Sequence, residues 1–368
     1  MLYLLYFFVL TVTLLYAFRY RRIKKFQFFL NALLFLFLWL FSGWIRGSYD
    51  VEIGISRYLE SSRFESFTEI GYSFLIEVGH KLNLTYRVHF VIWSLFEVTI
   101  LVWFINKWCS KPPIVFVMFL LYPMIFYFQY IRNIAAFSIV LIGFSCLVEE
   151  KKFSKFIYLL CIAVASTIHF NSIYFATYLL VFVIRKKISK KTECIFVGIL
   201  SVLLGVGTGT GIFYNVITLF LGATKTSIIE NSTDVTGQLG RVATCLAYIL
   251  LFFVYYFLVN YGFDIRTRDS YSDFLFKINV LSFMFVPLTL NFGVGFARMP
   301  ILIGLINYIW IVNKISLIKG QKKRVIAYIP MLLVLAFILA ANLKNQEFWD
   351  LVIKPSFEDN ELIQFLME

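Results

Sequence analysis

Charge is scarce in this sequence. Of 368 residues only 15% are charged, while 60% are hydrophobic and 20% aromatic. A soluble domain carries about 25% charged and about 45–50% apolar residues. The 34 basic and 21 acidic side chains make too thin a polar shell for a soluble globule of this length. A soluble enzyme, a disordered chain and a disulfide scaffold are therefore excluded. Paired cysteines are missing as well. Cys109, Cys146, Cys161, Cys194 and Cys245 lie within or beside apolar runs, and none has C-x-x-C spacing, so neither a disulfide framework nor a zinc site is expected. The three histidines, His80, His89 and His169, are too scattered to make a metal centre. D-x-D, H-E-x-x-H, G-x-S-x-G and an ATP-binding loop are all absent, which removes the chemistries those motifs support. An enzyme built from this chain would need a membrane-borne substrate that arrives already activated.

Long apolar runs are what the sequence has. Bounded by charge, they give about twelve spans, with 10–13 possible, near 1–18, 26–45, 88–106, 113–128, 131–148, 155–169, 171–184, 194–212, 241–260, 274–291, 299–313 and 325–341. The fold class is an all-α polytopic integral membrane protein, because barrel strands would alternate with a period of two over much shorter segments. The first run is uncharged and is followed by Arg19, Arg21, Arg22, Lys24 and Lys25. A cleavable signal has the reverse order and a small-residue site, so Met1–Phe18 reads as a retained helix with its N-terminus outside.

The alternate connectors 19–25, 107–111, 149–155, 185–193, 264–277 and 314–324 hold 23 of the 34 Lys and Arg residues. The positive-inside rule places them in the cytoplasm and both termini outside. The net charge of +13 then serves topology and lipid contact, and no nucleic-acid partner is expected. Residues 1–368 read as one transmembrane domain with three outer segments: a loop over 46–87, a second over 207–240, and a C-terminal tail over 342–368. Phe74–Leu84 reads as a short amphipathic or re-entrant helix in the first. No internal repeat is evident, which argues against a transporter of duplicated halves. Long loops on one face place the chemistry outward.

Five constellations could carry that chemistry. Arg46 and Asp50 stand four apart, so on a helix they would share a face. The pair is either an interfacial salt bridge or a guanidinium aimed at phosphate with a carboxylate beside it. Glu69-Ile70-Gly71-Tyr72 reads either as a helix cap or as an acid with an aromatic platform. Gly71 there would let a sugar come close. Gln129, Arg132 and Asn133, at i, i+3 and i+4, would share one helical face. An arginine at membrane depth normally faces a polar cavity, and its planar fork suits phosphate oxygens, although a snorkelling side chain remains the alternative. His169-Phe170-Asn171-Ser172 is a polar patch inside an apolar stretch, compatible with a structural or a catalytic histidine. Asn291–Arg298 is a Gly-broken turn with Arg298 at the mouth of the next span. Glu97 stands alone in mid-span.

With these residues in place, the chain resembles the EpsG-like branch of Wzy-type polysaccharide polymerases. The resemblance is most specific over Arg46–Ser172, in an ordered series. An Arg…Asp pair is followed by Glu-x-Gly-Tyr at 69–72 and by an aromatic run ending in Gln-x-x-Arg-x-x-x-Ala at 129–136. A basic hairpin with Lys151 and Lys152 then leads to His-x-Asn-Ser at 169–172. Asn171 stands where the family more often has Lys or Arg.

The resemblance implies a GT-C-like architecture and a glycosyltransferase on the outer face of the bacterial cytoplasmic membrane. It would join oligosaccharide repeat units carried on undecaprenyl diphosphate, for capsule, O-antigen or exopolysaccharide. No cofactor and no metal are implied, and a flippase and a chain-length regulator are the expected protein partners. Arg132, Arg46 and Arg298 would hold the leaving diphosphate. Glu69, ahead of His169 and Asp50, would take the acceptor's proton. Glu69 ranks first because no basic residue lies within five positions of it; His169 titrates near neutrality in its unperturbed form. Tyr49, Tyr72, Gln129, Tyr130, Asn133, Asn171 and Ser172 would contact sugar or prenyl chain. Competing readings are another lipid-linked-sugar transferase or ligase, a membrane acyltransferase, and a lipid-linked oligosaccharide flippase. The flippase would carry cationic residues through a central cavity rather than at one mouth.

Overall fold

The computed structural model describes residues 2–18, 24–47, 49–60, 69–149, 152–181, 294–344 and 349–362, with isolated positions at 195, 199, 277, 278, 281, 282 and 346. Among the described residues every regular element is helical. The helices are α1 (Leu2–Ala17), α2 (Lys24–Gly43), α3 (Tyr49–Leu59), α4 (Ile70–Lys81), α5 (Tyr86–Trp108), α6 (Pro112–Leu121), α7 (Met124–Phe128), α8 (Ile131–Val148) and α9 (Ser154–Ile168). A 3-10 helix (Phe170–Leu179), α10 (Val294–Ser316), α11 (Gln321–Lys344), a π-helical turn (Trp349–Ile353) and α12 (Lys354–Phe357) follow.

Four of these, α2, α5, α8 and α11, are long and apolar enough to cross a membrane. The 18 residues of α8 extend about 27 Å at 1.5 Å per residue, close to the roughly 30 Å of a hydrocarbon core. Helix α8 is 67% buried over its apolar window and α11 only 22%, so α8 is the inner helix and α11 a peripheral one. The expected spans near 194–212, 241–260 and 274–291 fall outside the described residues or touch them only at single positions, and the 207–240 loop lies wholly outside them.

Two expected spans take another form. The run 113–128 breaks at Tyr122-Pro123 into α6 and α7, because proline cannot continue the helical hydrogen-bond ladder. The run 171–184 begins as the 3-10 helix instead of an α-helix. The segment 46–87, expected as an outer loop, holds two helices rather than one. The expected Phe74–Leu84 helix starts earlier, at Ile70. The other, α3, opens with Asp50 and Glu52 and closes with Arg57, matching the helix dipole. It buries Val51, Ile55 and Tyr58, a one-faced spacing.

The chain divides into two compact units, 1–176 with 319–368, and 177–318. In the second, α10 buries Ile303, Ile306, Tyr308 and Trp310, and the Tyr178 hydroxyl lies 3.0 Å from Ser282 Oγ. In the first, α2 and α5 pack antiparallel. Asn31 donates to Asn106 at 3.1 Å and Trp39 Nε1 to the Val91 carbonyl at 3.0 Å. At the far end of α5, Lys107 donates to Ser145 Oγ of α8 at 2.9 Å and pairs with Glu149. Helix α9 returns antiparallel to α8, with Gly143 against Cys161. These directions put the connectors before α2, after α5 and after α8 at one end. Segments 44–47 and 82–85, the start of α8 and His169 gather at the other. The C-terminal segment folds back onto this unit: Phe357 stacks on Tyr3 at 4.5 Å, and Asn360 donates to the Phe41 carbonyl at 3.3 Å.

Candidate functional site

The polar residues of α3, α4, α8 and α9 meet at that second end. Glu69 immediately precedes α4 and is 7% exposed. Its Oε2 accepts from Arg132 Nη1 at 2.6 Å and from Arg57 Nη1 at 3.1 Å. His169 Nδ1 lies 3.1 Å from its Oε1. The other arm of Arg132, Nη2, reaches Asp50 Oδ1 at 3.3 Å, and its guanidinium carbon lies 5.9 Å from the Tyr72 ring centre, within cation–π range. Arg132 Nε–H has no partner among the described residues. One buried centre thus joins Asp50 and Arg57 of α3, Glu69 and Tyr72 of α4, Arg132 of α8, and His169 at the end of α9.

Among the described residues two carboxylates face two guanidinium groups, so their charges balance. Burial alone would raise the Glu69 carboxyl. The hydrogen bond with His169 and the charges of Arg132 and Arg57 outweigh burial and hold it well below the usual carboxylate range. Burial pushes the Tyr72 phenol up to about 12 against the lowering charge of Arg132 and Arg57, so it remains a neutral donor. Among the described residues no group of three or more His, Cys, Asp or Glu is placed to hold a metal ion.

Several expectations change here. Glu69 has no basic residue near it in sequence, yet the fold seats Arg57 and Arg132 on it, and a carboxylate held ionised takes up a proton poorly. Arg46 does not pair with Asp50. The backbone from Ile45 to Gly47 is not helical, which removes the four-residue register. Arg46 instead meets Glu52 at 3.4 Å and Glu361 at 3.2 Å. Gln129, Arg132 and Asn133 do not lie on one helix, because the chain breaks between α7 and α8. Gln129 donates to Ser356 and to the Arg46 carbonyl, while Arg132 turns to the carboxylates. Asn133 is buried near the start of α8 and Tyr130 precedes that helix. Ser172 donates its backbone N–H to the His169 carbonyl at 3.0 Å, and Asn171 lies in the same turn. Tyr49 begins α3, but its side chain lies outside the described residues. Arg298 lies in the first turns of α10, and its side chain lies outside them too.

Gly71 faces protein rather than open space. A Cβ there would stand 2.2 Å from Thr167 Oγ1 and 2.9 Å from the Thr167 backbone carbon. The missing side chain lets α4 close on α9 two residues from each member of the Glu69–His169 pair. Gly71→Ala should separate the pair, with an overpacking cost of about 1–3 kcal/mol. Thr167→Ala in the same chain should recover part of it and not all, since the backbone contact remains. Thermal unfolding of the three variants, read beside activity, checks this. Wild-type behaviour of Gly71→Ala would show that the close approach is dispensable.

Sequence reasoning passed over Arg57, although it lies seven residues after Asp50 and so on the same stripe of one helix. Arg87 and Glu361 carried no local signal, since their partners are distant in the chain.

The model of the EpsG family matches residues 28–354, most of the chain and all of the centre just described. No curated protein matches the chain, and no solved structure does.

Proposed function

The chain belongs to the EpsG family, the family of Wzy-type polysaccharide polymerases, and from that premise we propose that it joins undecaprenyl-diphosphate-linked oligosaccharide repeat units on the outer face of the bacterial cytoplasmic membrane. The observation that carries this reading is the convergence of Arg132, Arg57, Glu69 and His169 at one end of the helices. It brings cations and a proton acceptor together.

In the reaction, a hydroxyl of the acceptor repeat attacks the anomeric carbon of the donor chain. The bond from that carbon to the diphosphate oxygen breaks, and undecaprenyl diphosphate leaves with the electron pair. The proton goes to His169. With Nδ1–H donating to Glu69 Oε1, the lone pair sits on Nε2, and the ionised carboxylate steadies the imidazolium that forms. Glu69 is then a positioning residue and His169 the catalytic base, the reverse of the order read from sequence spacing. Arg132 fixes both carboxylates and offers its remaining Nε–H to the leaving group. Tyr72 supports a sugar ring. In this reading guanidinium N–H donors, rather than a divalent metal, meet the leaving diphosphate. The GT-C-like arrangement and the full set of about twelve spans belong to the same proposal.

Purified protein given lipid-linked repeats should yield a ladder of lengthened chains. Translocation without lengthening would sink the polymerase and favour a flippase. The outward placement has its own check in a cysteine-free background. Leu82→Cys, exposed beyond α4, should react with an impermeant maleimide in intact cells, and Lys152→Cys between α8 and α9 should not. The opposite pattern would turn the protein over.

A further inference from the structure

A second ionic cluster stands beside the first, built from the break after α2, the start of α5 and the C-terminal segment. The Glu361 carboxylate lies between two guanidinium groups. Arg46 Nε is 3.2 Å from Oε1, and Arg87 Nη2 pairs with Oε2. The Tyr86 hydroxyl donates to the same carboxylate, 2.9 Å from Oε1 and 3.2 Å from Oε2. Arg87 Nη1 is braced on the Gly43 carbonyl at 3.0 Å. Glu52, the other acid, touches Arg46 from the solvent side at 3.4 Å and is 48% exposed.

Three donors converging on one oxyanion, Arg46 from the break after α2 and Tyr86 and Arg87 from the start of α5, form a receptor for an oxyanion, and the chain's own carboxylate fills it. Arg57 and Arg132 face carboxylates fixed at helix starts. Glu361, by contrast, is one residue past the buried Asn360 that anchors its segment. A rotation of its side chain empties the cradle without moving that anchor. Arg46 and Asp50 are four residues apart, so their Cα atoms are separated by at most about 14 Å. The cradle and the first centre are therefore joined by one short stretch of chain.

We propose that Arg46, Tyr86 and Arg87 form a binding site for the diphosphate of a lipid-linked substrate, and that Glu361 occupies this site as an internal competitor until that group displaces it. The proposal rests on the lipid-diphosphate reading above and adds the place where the phosphates bind. It moves Arg46 from a partner of Arg132 to a partner of Arg87.

The test is binding, read without sugar transfer, on the full chain in lipid nanodiscs. The probes are inorganic pyrophosphate in solution and undecaprenyl diphosphate in the bilayer. Glu361→Gln keeps the side chain's size and removes its charge. It should tighten undecaprenyl diphosphate by roughly tenfold or more, the scale of one charge-assisted hydrogen bond. Adding Arg87→Gln should erase that gain. Glu361→Asp, which keeps the charge on a shorter arm, should give a smaller gain and serves if the Gln variant folds poorly. Unchanged affinity in both Glu361 variants, or a gain that survives Arg87→Gln, overturns the site. A gain confined to free pyrophosphate overturns the lipid-borne assignment. Binding that follows the expected pattern in a chain unable to lengthen repeats would uphold the site and overturn the polymerase.

Discussion

Replacing Arg132 by Ala is expected to abolish polymerisation and to destabilise the protein by about 3–5 kcal/mol, the cost of removing one partner of a buried ion pair. The size follows from what is left behind. Glu69 and Asp50 are 7% and 6% exposed, and Arg132 forms an ion pair with each. Without it, Asp50 loses that arm and Glu69 keeps, among the described residues, Arg57 and His169. Arg132→Lys separates charge from shape. An ammonium retains the charge but cannot send parallel arms to carboxylates on two helices. It should recover much of the stability while most of the activity stays lost. Chain length on a polysaccharide gel at matched membrane expression, with thermal unfolding of the purified protein, reads both quantities. Normal chain length in Arg132→Ala would remove this residue from the site.

His169→Ala should lower turnover by roughly 10²–10⁴-fold, the usual contribution of a positioned proton acceptor, with binding of the lipid-linked repeat preserved. Glu69→Gln should show a related loss for a different reason: the amide still accepts from Nδ1–H but no longer balances an imidazolium. The two variants part company in stability. The Glu69 carboxyl is depressed in the folded chain, so its stabilisation is complete above the ordinary carboxylate value of 4.5 and is lost as pH falls below that toward the folded value. The stability gap between wild type and Glu69→Gln should be widest near neutral pH and should shrink in acid. Full turnover in His169→Ala would return the base to Glu69 or Asp50. A gap that widens in acid would contradict the charge balance described here.

The helices were legible because apolar length and bounding charge report directly on burial in lipid. The bounds of α5 and α8 fall within two residues of the runs 88–106 and 131–148. The site residues were legible as types and not as partners. Asp50, Glu69, Arg132 and His169 stand out because polar side chains are rare among such apolar neighbours. Their pairing depends on contacts spanning 63 to 100 residues, for which spacing along the chain is no guide. The unforeseen charge around Glu69 has that origin, since counting charges within five positions measures only local electrostatics. The Arg46–Asp50 and Gln129–Arg132 errors share another: each assumed that helical register continues across a point where the chain breaks. Gly71 could be noticed in the sequence, but its reason, Thr167 in another helix, could not.

The position of Arg132 along the polypeptide bears on how the protein is made. Asp50, Arg57 and Glu69 all precede it, so they leave the ribosome first, and segments emerging earlier fold earlier. When α8 reaches the bilayer, its arginine, costly as an isolated charge in lipid, can meet carboxylates already waiting at the membrane surface. His169, which can enter uncharged, arrives last with α9. The order of synthesis thus lets each costly group enter beside a counter-ion, and truncated nascent chains that lack the segment around Asp50 and Glu69 should insert α8 less efficiently than chains that retain it.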